Sequence, residues 1–399
     1  MTAALPRRHF LAGSGAAMAA GLPAGARALA APAGRAPTRW RLLGVAPASE
    51  KLPQLADDYR RGVELGLAQA GARQVSMDWL SAGPLPSKPA RAIHALLRTG
   101  NFDAVVGWMP PLLADSVAAL AGPRGIPLWI SDSGADLGAP AAQAAHPHPW
   151  QVRHSLELCP MACALADQVY RQCGPRAFLA LGWHESGYDF VQAFQHRWRT
   201  LGGQIVGRHI AGTPEQPHEF SGLREATVSQ QPDVVVALFS GSQAQRFGQW
   251  WRTQRPARSA LAGLPWLTAP DAGLSAWTVS SWPAANSAPQ PWAEHFTRAG
   301  LAWTPAALLG AEAGASLGAA LAAAHPGARA QDVWAALRAT PLAGPRGERR
   351  WQDAGRDSTG PLWHATAAAE DARTERQHPP MLSSASRARG GWTTGYFLT

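Results

Sequence analysis

Trp108, Met109, Pro110 and Pro111 follow the apolar run Phe102–Gly107 without a spacer. The run reads as a buried strand. An indole at its carboxyl end offers a flat face to an aromatic, apolar or cationic ligand, while the two prolines have no N–H to donate. Ser131, Ser133, Gly134 and Ala135 end a second apolar run, where small residues let a backbone approach a ligand closely. His184-Glu185-Ser186-Gly187-Tyr188 opens like a His-Glu-x-x-His zinc motif but lacks the second histidine. His146, His148, His154 and His184 have no ligand spacing and read as solvated side chains. Cys159, Cys163 and Cys173 are odd in number, and the first two stack on one helix face, so they read as buried reduced thiols. No Gly-x-x-x-x-Gly-Lys phosphate loop occurs. The residue types suit recognition, and no catalytic residue, metal or cofactor is expected.

These residues need elements to position them. "RWRLLGVAP", "RQVSMDWL", "FDAVVG" and "IPLWIS" read as strands, alternating with the helical stretches "LADDYRRGVELGLAQAG", "PARAIHALLRTG" and "LADSVAALAG". After the irregular "HPHPWQVRHS" the alternation restarts, with strands at "RAFLALGW", "QIVGRHI", "PDVVVALFS" and "LPWLTA". Strands alternating with helices mean an α/β chain of two lobes, each an open, mostly parallel sheet. "PAALLGAEAGASLGAALAAAH" is a helix built for tight packing, and residues 370–399 read as a polar, mobile tail whose closing "WTTGYFLT" has no assignment.

The chain has 399 residues, 46% hydrophobic and 16% charged, with a formal charge of +9. Lys51 and Lys88 are its only lysines, and the arginines are scattered, so a nucleic-acid footprint is not expected. Residues 1–30 read as a signal peptide, with a twin-arginine head at Arg7-Arg8 and a small-residue end at Ala30. No cysteine precedes Cys159 to carry a lipid, and no later stretch reads as a membrane span, so the expected product is a soluble, exported monomer, not membrane-inserted.

Several stretches together resemble the type I periplasmic substrate-binding proteins of branched-chain amino-acid and amide ABC transporters. They are "DDYRRGVELGLAQAG", "DAVVG", "GIPLWISDSGADL", "WQVRHS", "SGYDFVQAFQHRWRTLGGQIV", "FSGLREATVSQQPDVVVALFSGSQA" and "PLAGPRGERRWQDAG", in family order from about Arg41 to Ala369. The resemblance implies two lobes joined by three crossovers, near Arg153, Trp282–Ser287 and Thr340–Leu342. Lobe 1 would then be 40–152 plus 287–340, and lobe 2 would be 153–286 plus 341–369.

The resemblance also implies a ligand in the interlobe cleft. Trp108 and Met109 would form its lip, and Ser131, Ser133, Gly134 and Ala135 would hold the ligand's polar end. Ser186, Tyr188 and Ser240 would face them, with Asp271 set toward an amino group. Pro110, Pro111 and Leu112 stand where relatives offer a hydroxyl and amides to a carboxylate, which weakens a carboxylate clamp. Ser186 and Ala311 replace larger family residues and imply room for a ligand bulkier than leucine. The implied function is capture of an amino acid, amide, or aromatic or aliphatic acid, and delivery to a membrane ABC permease. A ligand sensor of the same fold, and a secreted hydrolase or cofactor enzyme, are the alternatives.

Overall fold

The computed structural model describes residues 40–72, 74–83, 87–136, 150–212, 220–255, 258–268, 274–324, 328–340, 342–352, 357–366, 369–374 and 396–397. The expected signal peptide lies outside them. The first run of elements is β1 (Trp40–Pro47), α1 (Leu55–Gln69), β2 (Val75–Ala82), α2 (Ser87–Thr99), β3 (Ala104–Trp108), α3 (Pro111–Ala121), β4 (Leu128–Asp132) and β5 (Gln151–Ser155). The second is α4 (Leu158–Cys173), β6 (Arg176–Leu181), α5 (Asp189–Thr200), β7 (Gln204–Ile210), α6 (Leu223–Gln230), β8 (Val234–Leu238), α7 (Gly241–Gln254), β9 (Ala260–Gly263) and β10 (Trp277–Ser280). The chain continues through α8 (Trp292–Arg298), α9 (Pro305–Ala323), α10 (Ala330–Ala339), β11 (Leu342–Gly344), β12 (Gly347–Gln352), β13 (Asp357–Thr359), β14 (Leu362–Thr366) and β15 (Ala369–Thr374).

The strands form two sheets, ordered β11-β12-β13-β5-β4-β3-β1-β2 and β15-β14-β10-β9-β8-β6-β7. The α/β fold expected from the alternation is present, and the inner strands pair in parallel. Every residue of β3, β4 and β8 is buried, which suits the apolar runs of β3 and β8 and the Leu128–Ile130 start of β4. Alternate side chains enter different cores. Val105 and Ile130 pack with Leu43 and Val45 under α2 and α3. Val106 and Trp129 face the other way, toward α1 and α9.

Several expectations are corrected. First, β11–β13 belong to the first sheet, because β13 pairs with β5 at Asp357↔Arg153. The chain changes sheets for the third time at Gly360–Pro361, not near Thr340–Leu342, so 342–359 leaves the expected second lobe. β5 likewise puts Arg153–Ser155 in the first sheet. Second, "LPWLTA" is not a strand: the ladder is Ala260–Gly263, and Pro265–Thr268 is a single 3-10 turn, since Pro265 cannot donate to a ladder. Third, the tail begins later than 370, because β15 pairs antiparallel with β14. Fourth, Pro305–Ala323 is long and apolar enough to cross a membrane, but it is mostly buried as the core helix α9. Its small residues let the α1 and α9 backbones touch. A Cβ on Gly66 would stand 2.2 Å from the Ala311 carbonyl oxygen, and one on Gly314 would stand 2.1 Å from that of Val63. Ala311 is therefore small for helix packing and leaves no room in the cleft.

Buried charges tie the places where the chain changes sheets. The Arg346 guanidinium lies 2.7 Å from Glu312 on α9 and donates to the Ser155 carbonyl at 2.9 Å and to Ser281 Oγ at 3.1 Å. Ser281 Oγ donates to the Leu156 carbonyl at 2.7 Å. His154 Nε2 is 2.7 Å from Glu312, and its Nδ1 is 2.7 Å from Ser358 Oγ. That network assigns the Nε2–H tautomer. Burial pushes His154 down to about 4, against the opposing pull of Glu312. Burial alone would raise the Glu312 carboxyl, but Arg346 and His154 outweigh it and hold it well below the usual carboxylate range. His154 is thus a fully buried hinge residue, not a solvated one.

Candidate functional site

The loops that leave the carboxyl ends of the two sheets' strands meet one another, the position where open α/β sheets bind ligands. Lys51, in the loop after β1, reaches across to Glu185, after β6, with Nζ 2.9 Å from Oε1. The Phe190 N–H at the start of α5 donates to the Ala135 carbonyl after β4 at 3.0 Å. Glu185 is fully buried, and its Oε1 also accepts from Ser240 Oγ at 2.5 Å. Its Oε2 is buried with no hydrogen-bond partner among the described residues.

Tyr396, far along the chain, completes this centre. Its hydroxyl donates to Glu185 Oε1 at 2.9 Å. Its ring meets Tyr188 edge-on with centroids 4.9 Å apart and lies 5.4 Å from Phe190. Phe397 lies beside it, ring tilted, with centroids 4.2 Å apart, and meets Trp266 at 5.2 Å. Trp266 in turn stacks on Trp282 at the second crossover. Burial raises the Tyr396 phenol well above its usual value, and the Glu185 carboxylate adds to that, so the hydroxyl keeps its proton and donates it.

Beside Tyr396 remains only a small cavity of about 10 Å³, room for roughly one water, lined by Trp108, Pro110, Pro111 and Asp132–Asp136. Gly134 turns its floor at φ +67°, and a Cβ there would stand 2.8 Å from the Glu157 nitrogen. The Gly134 N–H donates to Asp132 Oδ1 at 2.6 Å, and Arg153 holds the other oxygen at 2.9 Å. Asp136 is pushed up to about 7, first by burial and then by the Asp189 and Asp132 carboxylates. The cleft is therefore rich in acceptors.

The expected site residues separate. Trp108, Ser133, Gly134 and Ala135 line the cavity, and Tyr188 and Ser240 line the aromatic centre. Met109 is fully buried under α2 and α3, because its side chain falls on the opposite face of the strand from Trp108. Ser131 Oγ accepts from the Tyr59 hydroxyl at 2.9 Å beneath the cleft. Ser186 Oγ turns back to the Trp183 carbonyl at 2.8 Å and closes its own turn. Asp271, His146 and His148 lie outside the described residues. All three cysteines are free thiols. Among the described residues, no group of three or more His, Cys, Asp or Glu could hold a metal ion.

Sequence reasoning missed Lys51, Glu185, Trp266, Tyr396 and Phe397. The lysine had a signal, being one of two in the chain on a strand-end loop. The aromatic pair ending a polar tail was another.

Two parallel-sheet lobes with their strand ends facing across a partly filled cleft define a two-lobed solute-binding protein. The chain belongs to the periplasmic binding protein family, whose sequence model matches residues 41–372. Comparison with curated proteins gives no match. Among solved structures, the chain is similar to an ABC-transporter solute-binding protein from R. palustris in complex with benzoate, at 21% identity and TM-score 0.67, covering 84% of this chain and 95% of that one. A second R. palustris solute-binding protein, in complex with 4-hydroxybenzoate, shares 14% identity at TM-score 0.65, covering 86% and 94%. A leucine-binding protein from Thermotoga maritima shares 14% identity at TM-score 0.65, covering 84% and 98%.

Proposed function

We propose that the cleft captures a small aromatic solute whose polar end donates a hydrogen bond, a phenolic hydroxyl foremost. The observation that carries this reading is the buried Glu185 carboxylate at the end of an aromatic box, accepting from the hydroxyl of a phenol ring. A benzoate-type body suits the same box, and the two similar R. palustris proteins are in complex with benzoate and 4-hydroxybenzoate. The polar end differs, because Asp132, Asp136, Glu185 and Asp189 crowd the cleft, while Lys51 and Arg153 are engaged by Glu185 and Asp132. A ligand carboxylate placed there meets like charge, whereas a hydroxyl or ammonium meets acceptors. Closure of the lobes on the solute, export through the twin-arginine head and delivery by a monomer to an ABC permease complete the reading.

A thermal-shift series with p-cresol, tyramine, benzoate and leucine tests it. A midpoint that rises with p-cresol or tyramine and not with leucine supports it. A rise with leucine alone overturns it.

A further inference from the structure

Tyr396 and Phe397 stand at the far end of a chain whose last strand ends at Thr374, yet they are 2% and 4% exposed between the lobes. Burial alone would make them a core satellite. Their contacts say more. Tyr396 donates a charge-assisted hydrogen bond to the residue that clasps Lys51 of the facing lobe, and its ring walls the remaining cavity with Trp108. Phe397 holds φ +73°, a conformation a bulky residue adopts only when its surroundings impose it. The surroundings here are Trp266 and Tyr396, both in the cleft.

We propose that the Tyr396–Phe397 pair is an intramolecular ligand of the cleft, holding the lobes closed until a phenolic solute displaces it. The proposal rests on the phenol-capturing reading above and adds a built-in competitor to it. Tyr396 makes the contacts a bound phenol would make: a donor on Glu185, a ring against Tyr188 and Phe190, and a place in the cavity wall with Trp108 of the first lobe. Because the pair is covalently tied to the lobes it bridges, a solute competes against an effective concentration on the order of mM. That raises the solute concentration needed for occupancy and makes the closed form the resting state.

The test compares the full chain with the Tyr396→Ala, Phe397→Ala double variant, which leaves both sheets untouched. Small-angle scattering reports closure without any solute. The full chain should be compact, the double variant should expand, and a synthetic Thr-Gly-Tyr-Phe-Leu-Thr peptide should restore compactness. The p-cresol dissociation constant should fall at least about tenfold in the double variant. A double variant as compact as the full chain, with p-cresol affinity unchanged, overturns the plug while leaving phenol capture standing. If the peptide closes the variant but p-cresol binds neither chain, the plug stands and the phenol reading falls.

Discussion

The hydroxyl of Tyr396 donates to Glu185 Oε1 over 2.9 Å, and the same oxygen lies 2.9 Å from Lys51 Nζ. One carboxylate therefore joins the C-terminal aromatic pair, the second lobe that carries it and the first lobe. Glu185→Gln keeps the shape, removes the charge and leaves Lys51 without its counter-ion. Breaking a buried pair on one side costs about 3–5 kcal/mol, and Lys51 keeps some solvent, so a loss of about 2–3 kcal/mol is expected in urea unfolding. A variant as stable as its parent would show that the clasp contributes nothing.

Asp136 gives the cleft a pH dependence. Its folded pKa lies near 7 and its ordinary value is 3.8, so between those values the folded chain binds the extra proton. The contribution of Asp136 to stability therefore falls as pH rises from about 4 to about 7. Asp136→Asn removes the penalty, and its melting temperature should exceed the parent's by a margin that widens from pH 5 to pH 8. Parallel profiles for the two chains would remove Asp136 from the account.

The hinge titrates in the opposite sense. His154 is depressed from 6.5 to about 4, so its neutral form supports the fold fully above pH 6.5, and that support is lost as pH falls through 4. Glu312, depressed by Arg346 and His154, loses its contribution further into acid. Arg346→Met strands the buried Glu312 carboxylate and should cost about 3–5 kcal/mol in urea unfolding. The Arg346→Met, Glu312→Leu double variant should recover much of that loss. Additive losses in a double-mutant cycle would mean the pair is not coupled.

Helix packing supplies a test away from any ligand. Gly66→Ala drives a methyl group into the Ala311 carbonyl and should cost about 1–3 kcal/mol by overpacking, despite the better helix propensity of alanine. A stabilised variant would mean that α1 and α9 separate easily.

The fold was legible because periodicity carries it. β3 and β8 are apolar runs of five, β4 opens on Leu128-Trp129-Ile130, and α1 shows Leu55, Tyr59, Val63 and Leu67 on one face. The sheet assignment of β11–β13 was not legible, since a short hairpin has no pattern that names its partner strand. Trp108 lines the small cavity at the strand end from which a cleft position was inferred. Met109 packs on the other side, because one step along a strand reverses the face. Glu185 and Tyr396 are 211 residues apart, and no local pattern announces a contact that only the tertiary structure makes.

The most direct measurement is a calorimetric titration of the Tyr396→Ala chain with p-cresol, repeated with Glu185→Gln added and with leucine as the titrant. The account predicts saturable one-site binding of p-cresol, weakened at least about tenfold by Glu185→Gln, and no heat from leucine. Saturable binding of leucine with none of p-cresol would contradict it.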